Sequence, residues 1–421
     1  MGASLLARYG LTFLSFGAMQ AMQFLLPLLA LPWLGRVLGS EAFGLLMYMC
    51  LLPPLIALVM DWGLTTSGSR EAALLRGTDL RLGALLGAAL TAKFLLACLC
   101  LCLACLCWPW LPHAAQEPAG YWLAVLAGIS RGLSPVWFCQ GAARDVPVLA
   151  CLDICASLLT LLMVFIFIQA PGQWPLYLLF LAISSLLVNC GMTVRLWLRY
   201  RPRPDLSGAL KLLAASSTLA GSAMALLFCQ NGGQLALGFL LPAPDMGLIV
   251  AVNKMLRSFA ALLGPITQTL YPELCILAKR APGQALRILR RSLLLVASAA
   301  LTGAGLIWIM APLLIELALG SQYIRGADVL RIAILAGPAM ALEQAIASQV
   351  VIPCGCEKEL LKLQACCAAG CLPLAWFLGQ AFGLLGGASL AVWIELALLA
   401  GTGLIAGQAL ERGAQIKCMK R

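Results

Sequence analysis

Apolar runs of about 20 residues, separated by short polar breaks, follow one another along the whole chain, and each has the length that a helix needs to cross hydrocarbon. The first six fall at Tyr9 to Leu34, Phe43 to Met60, Leu82 to Trp108, Tyr121 to Gly141, Val146 to Ile168 and Trp174 to Val194. A second six fall at Leu212 to Phe228, Met246 to Leu270, Leu293 to Ile315, Val329 to Ile352, Leu361 to Leu378 and Ala388 to Ala409. The pattern predicts an all-α polytopic membrane protein of about twelve transmembrane helices. A division at the basic run after Arg195 gives two six-helix lobes, residues 1–201 and 202–421, which enter the bilayer with the same orientation. The first span is too long for a signal-peptide core and is expected to stay as an anchor.

Composition agrees with the pattern: 62% of residues are apolar and 11% charged, far from a soluble mixture. The net charge of +11 alone would also fit a nucleic-acid or anionic-surface binder, but its distribution reports topology instead. With a cytoplasmic N-terminus, nearly all Lys and Arg in the loops fall on the inner side, and Arg36 and Arg325 are the main outer exceptions. An even number of spans then places both termini in the cytoplasm, and no nucleic-acid partner is expected. Most of the 18 cysteines lie inside spans and spread around several helix faces, where they behave as small apolar residues. With one histidine in the chain, neither a metal site nor a cofactor is expected. Short outer loops and the lack of a Walker loop, nucleophile elbow or His-Glu metal motif weigh against an enzyme.

Charges inside the spans are the candidate chemistry, since each costs at least about 2.5 kcal/mol at membrane depth unless protein or water receives it. Lys254 and Arg257 sit three residues apart on one face of the eighth span, beside Asn253. Lys93, Arg131 and Arg331 add further cations, against Asp153, Glu343 and Glu395, so the intramembrane balance is positive. Such a path suits a phosphorylated head group, because arginine forks match phosphate oxygens and lysine supplies a point charge. Each charge has a structural alternative. Arg131 can pair with Asp153 on the next helix, Arg331 can snorkel to the interface, and Glu343 and Glu395 are either titrating coupling sites or fixed counter-ions. Gln20 and Gln23 share a face of the first helix and suit either sugar hydroxyls or interhelical bonds. Asp61, with Arg70 and Glu71 nearby, is a gate ion-pair candidate or part of a solvated loop.

Three segments of the first half, LPLLALPWLGRVLGSEAFGLLMY from Leu26, DWGLTTSGSREAALLRG from Asp61 and GLSPVWFCQGAARDV from Gly132, resemble one family in order. Two of the second half, MGLIVAVNKMLRSFAALLGPITQTLYPEL from Met246 and LGSQYIRGADVLRIA from Leu319, continue the match. Together the chain resembles the Wzx-type O-antigen flippases, polysaccharide-biosynthesis proteins of the multidrug/oligosaccharidyl-lipid/polysaccharide exporter superfamily. The resemblance implies a bacterial inner-membrane flippase. It would move an undecaprenyl-diphosphate-linked oligosaccharide from the cytoplasmic to the periplasmic leaflet by alternating access, here through a cationic central cavity. A glycan polymerase and a chain-length regulator are candidate partners. A cation-coupled drug antiporter of the same superfamily is the alternative, with an acidic cavity expected, followed by a membrane glycan polymerase or ligase.

Overall fold

The computed structural model describes the backbone of residues 2–260 and 282–419; the side chains of most residues up to 24 and of 282–286 and 410–419 fall outside the described set. The elements in the N-terminal half are α1 (Gly2–Met49), α2 (Leu52–Asp61), α3 (Ser67–Leu74), α4 (Asp79–Cys107), α5 (Pro118–Gly132), α6 (Val136–Ala142), α7 (Val146–Phe167) and α8 (Pro175–Tyr200). There follow α9 (Leu206–Leu237), α10 (243–260), α11 (Pro282–Ala318), α12 (Gly326–Ala333), α13 (Ala336–Ile346) and α14 (Glu357–Met419). No strand occurs among the described residues, and the protein is an all-α polytopic membrane protein.

Nine described segments are long and apolar enough to span a bilayer. Two of them, Leu25–Asp61 and Glu357–Ala409, are 37 and 53 residues long, and each is interrupted by glycine in the left-handed half of conformational space. Gly39 (φ 71°) breaks α1, and Gly383 (φ 55°) breaks α14 inside the Gly-rich stretch that separates the last two sequence-predicted spans. The eighth span is described only as far as residue 260, so its Pro265 and Gln268 lie outside the described residues. Elsewhere proline sets the boundaries. It occupies one of the first two positions of α2, α5, α7 and α8, where its missing N–H is no loss, and Pro135 separates α5 from α6.

Contacts divide the chain into two compact units, Met1–Met224 and Ala225–Arg421. The first turns of α9 pack on the N-terminal unit. Trp62 Nε1 donates to Leu213 O (3.0 Å), Ser67 and Ser216 hydroxyls meet at 2.6 Å, and a Cβ on Gly63 would lie 3.1 Å from Ala220 N. In the N-terminal unit α1 packs on α7, and α5 on both α2 and α8; in the C-terminal unit α13 packs on α11 and α14. Helices such as α7 are apolar all round, with only 22% of the spanning window buried, so most of their apolar surface faces outward, as lipid exposure requires.

The loop motifs of the N-terminal unit pack against one another. α3 lies on α6, with Gly68 against the Trp137 ring and Gly141 against Ser69 and Ala72, while Arg76 Nε donates to Gly141 O (2.7 Å). Asp61 accepts from the Thr65 hydroxyl (2.6 Å) and backbone N–H (3.3 Å), which closes the turn between α2 and α3. Arg144 pairs with Asp79 (3.4 Å), Arg195 with Asp145 (3.1 Å), and the Tyr200 hydroxyl holds the Arg144 guanidinium above its usual range.

Candidate functional site

Within the C-terminal unit one polar cavity of about 20 Å³ lies among α9, α10, α13 and α14. The four helices reach it through faces set by the helical repeat: Cys229, Gln230, Gly233 and Gln234 from α9; Asn253, Leu256 and Arg257 from α10; Met340 from α13. The second half of α14 supplies Gly387, Leu390, Ala391, Ile394 and Glu395, a run at steps of three and four. Two glycines let the backbones come close, since a Cβ on Gly233 would meet Leu390 and one on Gly387 would meet Ile249. Its volume is enough for about one water.

Arg257 is the cation of this cavity. Its Nη1 donates to Gln230 Oε1 (3.2 Å) and its Nη2 to Gln230 O (2.7 Å), so α9 holds the guanidinium through a carboxamide and a main-chain carbonyl. Glu395, 6% exposed, shares the cavity, and the close ion pairs among the described residues do not include the two. Buried amide groups complete the lining: Gln234, 5% exposed, donates to Gln230 O (3.1 Å), and Asn253 is 7% exposed. Both hydrogen bonds of the guanidinium thus go to neutral oxygens of a single residue on α9.

Of the five residues expected to meet substrate whose side chains are described, Arg257 alone lines this cavity. Lys254, three residues earlier on α10, is half-buried, lies outside the lining and has interactions of its own. Lys93 is 3% exposed, and its Nζ donates to Gly132 O and Ser134 O, both at 2.7 Å, where α5 ends. A cation there satisfies carbonyls at the negative end of the helix dipole. Arg131 is exposed and Asp153 half-buried; no Arg131–Asp153 pair is among the close ion pairs of the described residues. Arg331 pairs with Asp328 (3.2 Å) and lies 5.4 Å from the Trp308 ring centroid. Among the expected counter-ions, Glu343 accepts from Thr402 Oγ1 (3.4 Å), and Glu395 is the one brought to Arg257. The side chains of Gln20 and Gln23 lie outside the described residues.

Gln230 and Gln234 lie beyond Phe228, where the apolar pattern predicts the end of the seventh span. The run Gln230-Asn231-Gly232-Gly233-Gln234 looks like a loop, yet α9 continues through it to Leu237. Gln230 accepts from Arg257 and Gln234 donates to Gln230 O, so both amides have partners within the unit. One available signal was that Gln230 and Gln234 stand four residues apart.

Residues 12–275 match the family model for polysaccharide biosynthesis protein, more than half of the chain. The chain belongs to the polysaccharide biosynthesis protein family. It is 22% identical over 360 residues to a candidate O-antigen transporter of Escherichia coli (strain K12), covering 84% of this chain and 86% of that protein. In fold it is similar to an inward-facing multidrug resistance MATE family transporter of the MOP superfamily, with a TM-score of 0.68 at 15% identity, covering 95% of this chain and 96% of that one. It is also similar to the lipid II flippase MurJ in an inward closed conformation, with a TM-score of 0.63 at 10% identity, covering 98% and 93%. At these identities the solved structures speak for the fold, and the family membership rests on the sequence match.

Proposed function

We propose that this family member is a flippase that carries an undecaprenyl-diphosphate-linked oligosaccharide from the cytoplasmic to the periplasmic leaflet by alternating access, with Arg257 as a head-group ligand. The observation that carries the reading is the Arg257 guanidinium, placed in a polar cavity inside an apolar unit and held by the neutral acceptors of Gln230. Desolvating a diphosphate alone is prohibitive, and a fork-shaped cation that releases a carboxamide to take phosphate oxygens lowers that cost. The similarity to a candidate O-antigen transporter supports the substrate class. A cavity of about 20 Å³ is too small for a sugar, so the head group enters in a more open state.

In this reading the protein sits in the bacterial inner membrane with both termini cytoplasmic, and the moving lobes are the two six-span halves, residues 1–201 and 202–421. Glu395 acts as the counter-ion that retains Arg257 when substrate leaves. The antiporter alternative calls for an acidic cavity, whereas here one carboxylate faces one guanidinium.

Substituting Arg257 by Ala tests the assignment in a strain whose surface polysaccharide depends on this chain. Loss of the charge-assisted hydrogen bonds, about 1.5–3 kcal/mol, lowers export about tenfold to hundredfold. Membrane abundance stays unchanged, and Arg257→Lys retains part of the activity. Wild-type polysaccharide in the Ala variant would remove Arg257 from the pathway.

A further inference from the structure

We propose that the run from Arg199 to Arg203 is a built phosphate-binding rib that holds a lipid phosphate at the membrane surface. It joins α8 and α9, both spanning helices, so it lies at a bilayer boundary whichever side that is. Exposure alternates along it: Arg199, Arg201 and Arg203 point outward, while Tyr200 and Pro202 are buried. Arg199 lies in the last turn of α8, and Arg201 and Arg203 lie in the irregular segment 201–205, where Pro202 and Pro204 forbid helix, so three exposed guanidinium-bearing residues fall within five positions.

The segment is seated on α4. Gly83, Gly87 and Thr91, four residues apart, form one face of that helix. A Cβ on Gly83 would lie 2.6 Å from Tyr200 O, one on Gly87 would collide with Arg203 O, and Asp205 N donates to Thr91 Oγ1 (3.3 Å). The Tyr200 ring packs edge-on to Phe138 (5.2 Å), which fixes the buried side of the rib. Arg201 takes a left-handed conformation (φ 45°) and its N–H caps Trp197 O (2.8 Å). The backbone is thus fixed before any ligand arrives, and only the arginine side chains need ordering on binding.

Exposed apolar residues flank the rib on both helices, Trp197 and Leu198 on α8 and Leu206 and Leu210 on α9. A tryptophan beside arginines is the combination that belongs at head-group depth, with the ring among acyl carbonyls and the forks among phosphates. The ligand is therefore a lipid phosphate, and two membrane sources share that chemistry: an anionic phospholipid and the diphosphate of a polyprenyl carrier. This inference stands independently of the role given to Arg257.

Native mass spectrometry of the full-length protein tests it, with phosphatidylglycerol in one titration and undecaprenyl diphosphate in the other. Replacing Arg199, Arg201 and Arg203 together by Gln weakens the first bound lipid about tenfold or more. The matched triple Arg287→Gln, Arg290→Gln, Arg291→Gln, which removes equal charge from exposed positions, changes it less than about twofold. A loss confined to phosphatidylglycerol identifies a structural lipid, and one confined to undecaprenyl diphosphate identifies the carrier; either result supports the rib. Gly87→Val keeps every arginine but lifts the segment from α4, and it weakens binding in the same direction. Unchanged binding of both lipids in the Arg199/201/203 triple, or an equal loss in the two triples, overturns the proposal, as does wild-type binding by a folded Gly87→Val protein.

Discussion

Intramembrane charge divides into two kinds in this chain, and the difference lies in what each side chain touches. Lys93 reaches main-chain carbonyls at the end of α5, whereas Arg257 reaches a carboxamide in a cavity. Lys93→Met should therefore behave as a stability variant, since it leaves the Gly132 and Ser134 carbonyls without that donor at a cost of about 1–3 kcal/mol. A lowered unfolding temperature in detergent is the expected result; wild-type stability with lost transport would return Lys93 to the ligands. At Asp245, just before the eighth span, burial pushes the carboxyl above its usual range against the pull of Arg325. A raised acid favours its neutral form in the fold, so its contribution is fully present below the ordinary carboxylate range and fades as pH rises through it. Asp245→Asn should flatten that part of the stability profile and raise the neutral-pH melting temperature, and an unchanged slope would remove the burial argument. Arg257 and Glu395 were legible as expensive charges in apolar runs. Gln230 and Gln234 were not, because an uncharged amide in a run with two glycines is equally at home in a loop.

At the scale of elements, breaks were easier to read than continuations. The glycines at 39 and 383 interrupt the helices between spans that appear in the apolar pattern, whereas the break at Pro135 falls inside the predicted span Tyr121 to Gly141. The extension of α9 past Phe228 was hidden because partners on α10 and α14, distant in sequence, make its polar end acceptable. The motif segments after Asp61 and Gly132 also acquire a reason, since α3 and α6 pack through glycines that admit no side chain. A Cβ on Gly68 would meet the Trp137 ring at 2.7 Å, and Trp137 is 2% exposed, so Gly68→Ala should cost about 1–3 kcal/mol by overpacking. Gly191→Ala, with nothing within 4 Å, should leave thermal stability unchanged or slightly higher. Equal effects at the two positions would contradict the packing described for α3 and α6.

For the whole molecule, the apolar repeat and the positions of arginine carry the architecture, because a bilayer demands both length and charge asymmetry. The orientation makes a separate claim: a reporter fused after Arg203 should be cytoplasmic and one fused after His113 periplasmic, and the reverse pattern would invert the direction of transport. Family membership and fold are common to proteins with different cargo, so substrate rests on the site. The most direct measurement is translocation by the purified protein in liposomes, using undecaprenyl-diphosphate-linked oligosaccharide and a lectin or enzyme confined to one side. The wild-type chain should expose the oligosaccharide to that probe faster than empty liposomes do, and Arg257→Ala should slow it about tenfold or more while binding to the membrane unchanged. Translocation no faster than in empty liposomes would contradict the flippase assignment, and equal rates for the two proteins would contradict the role of Arg257.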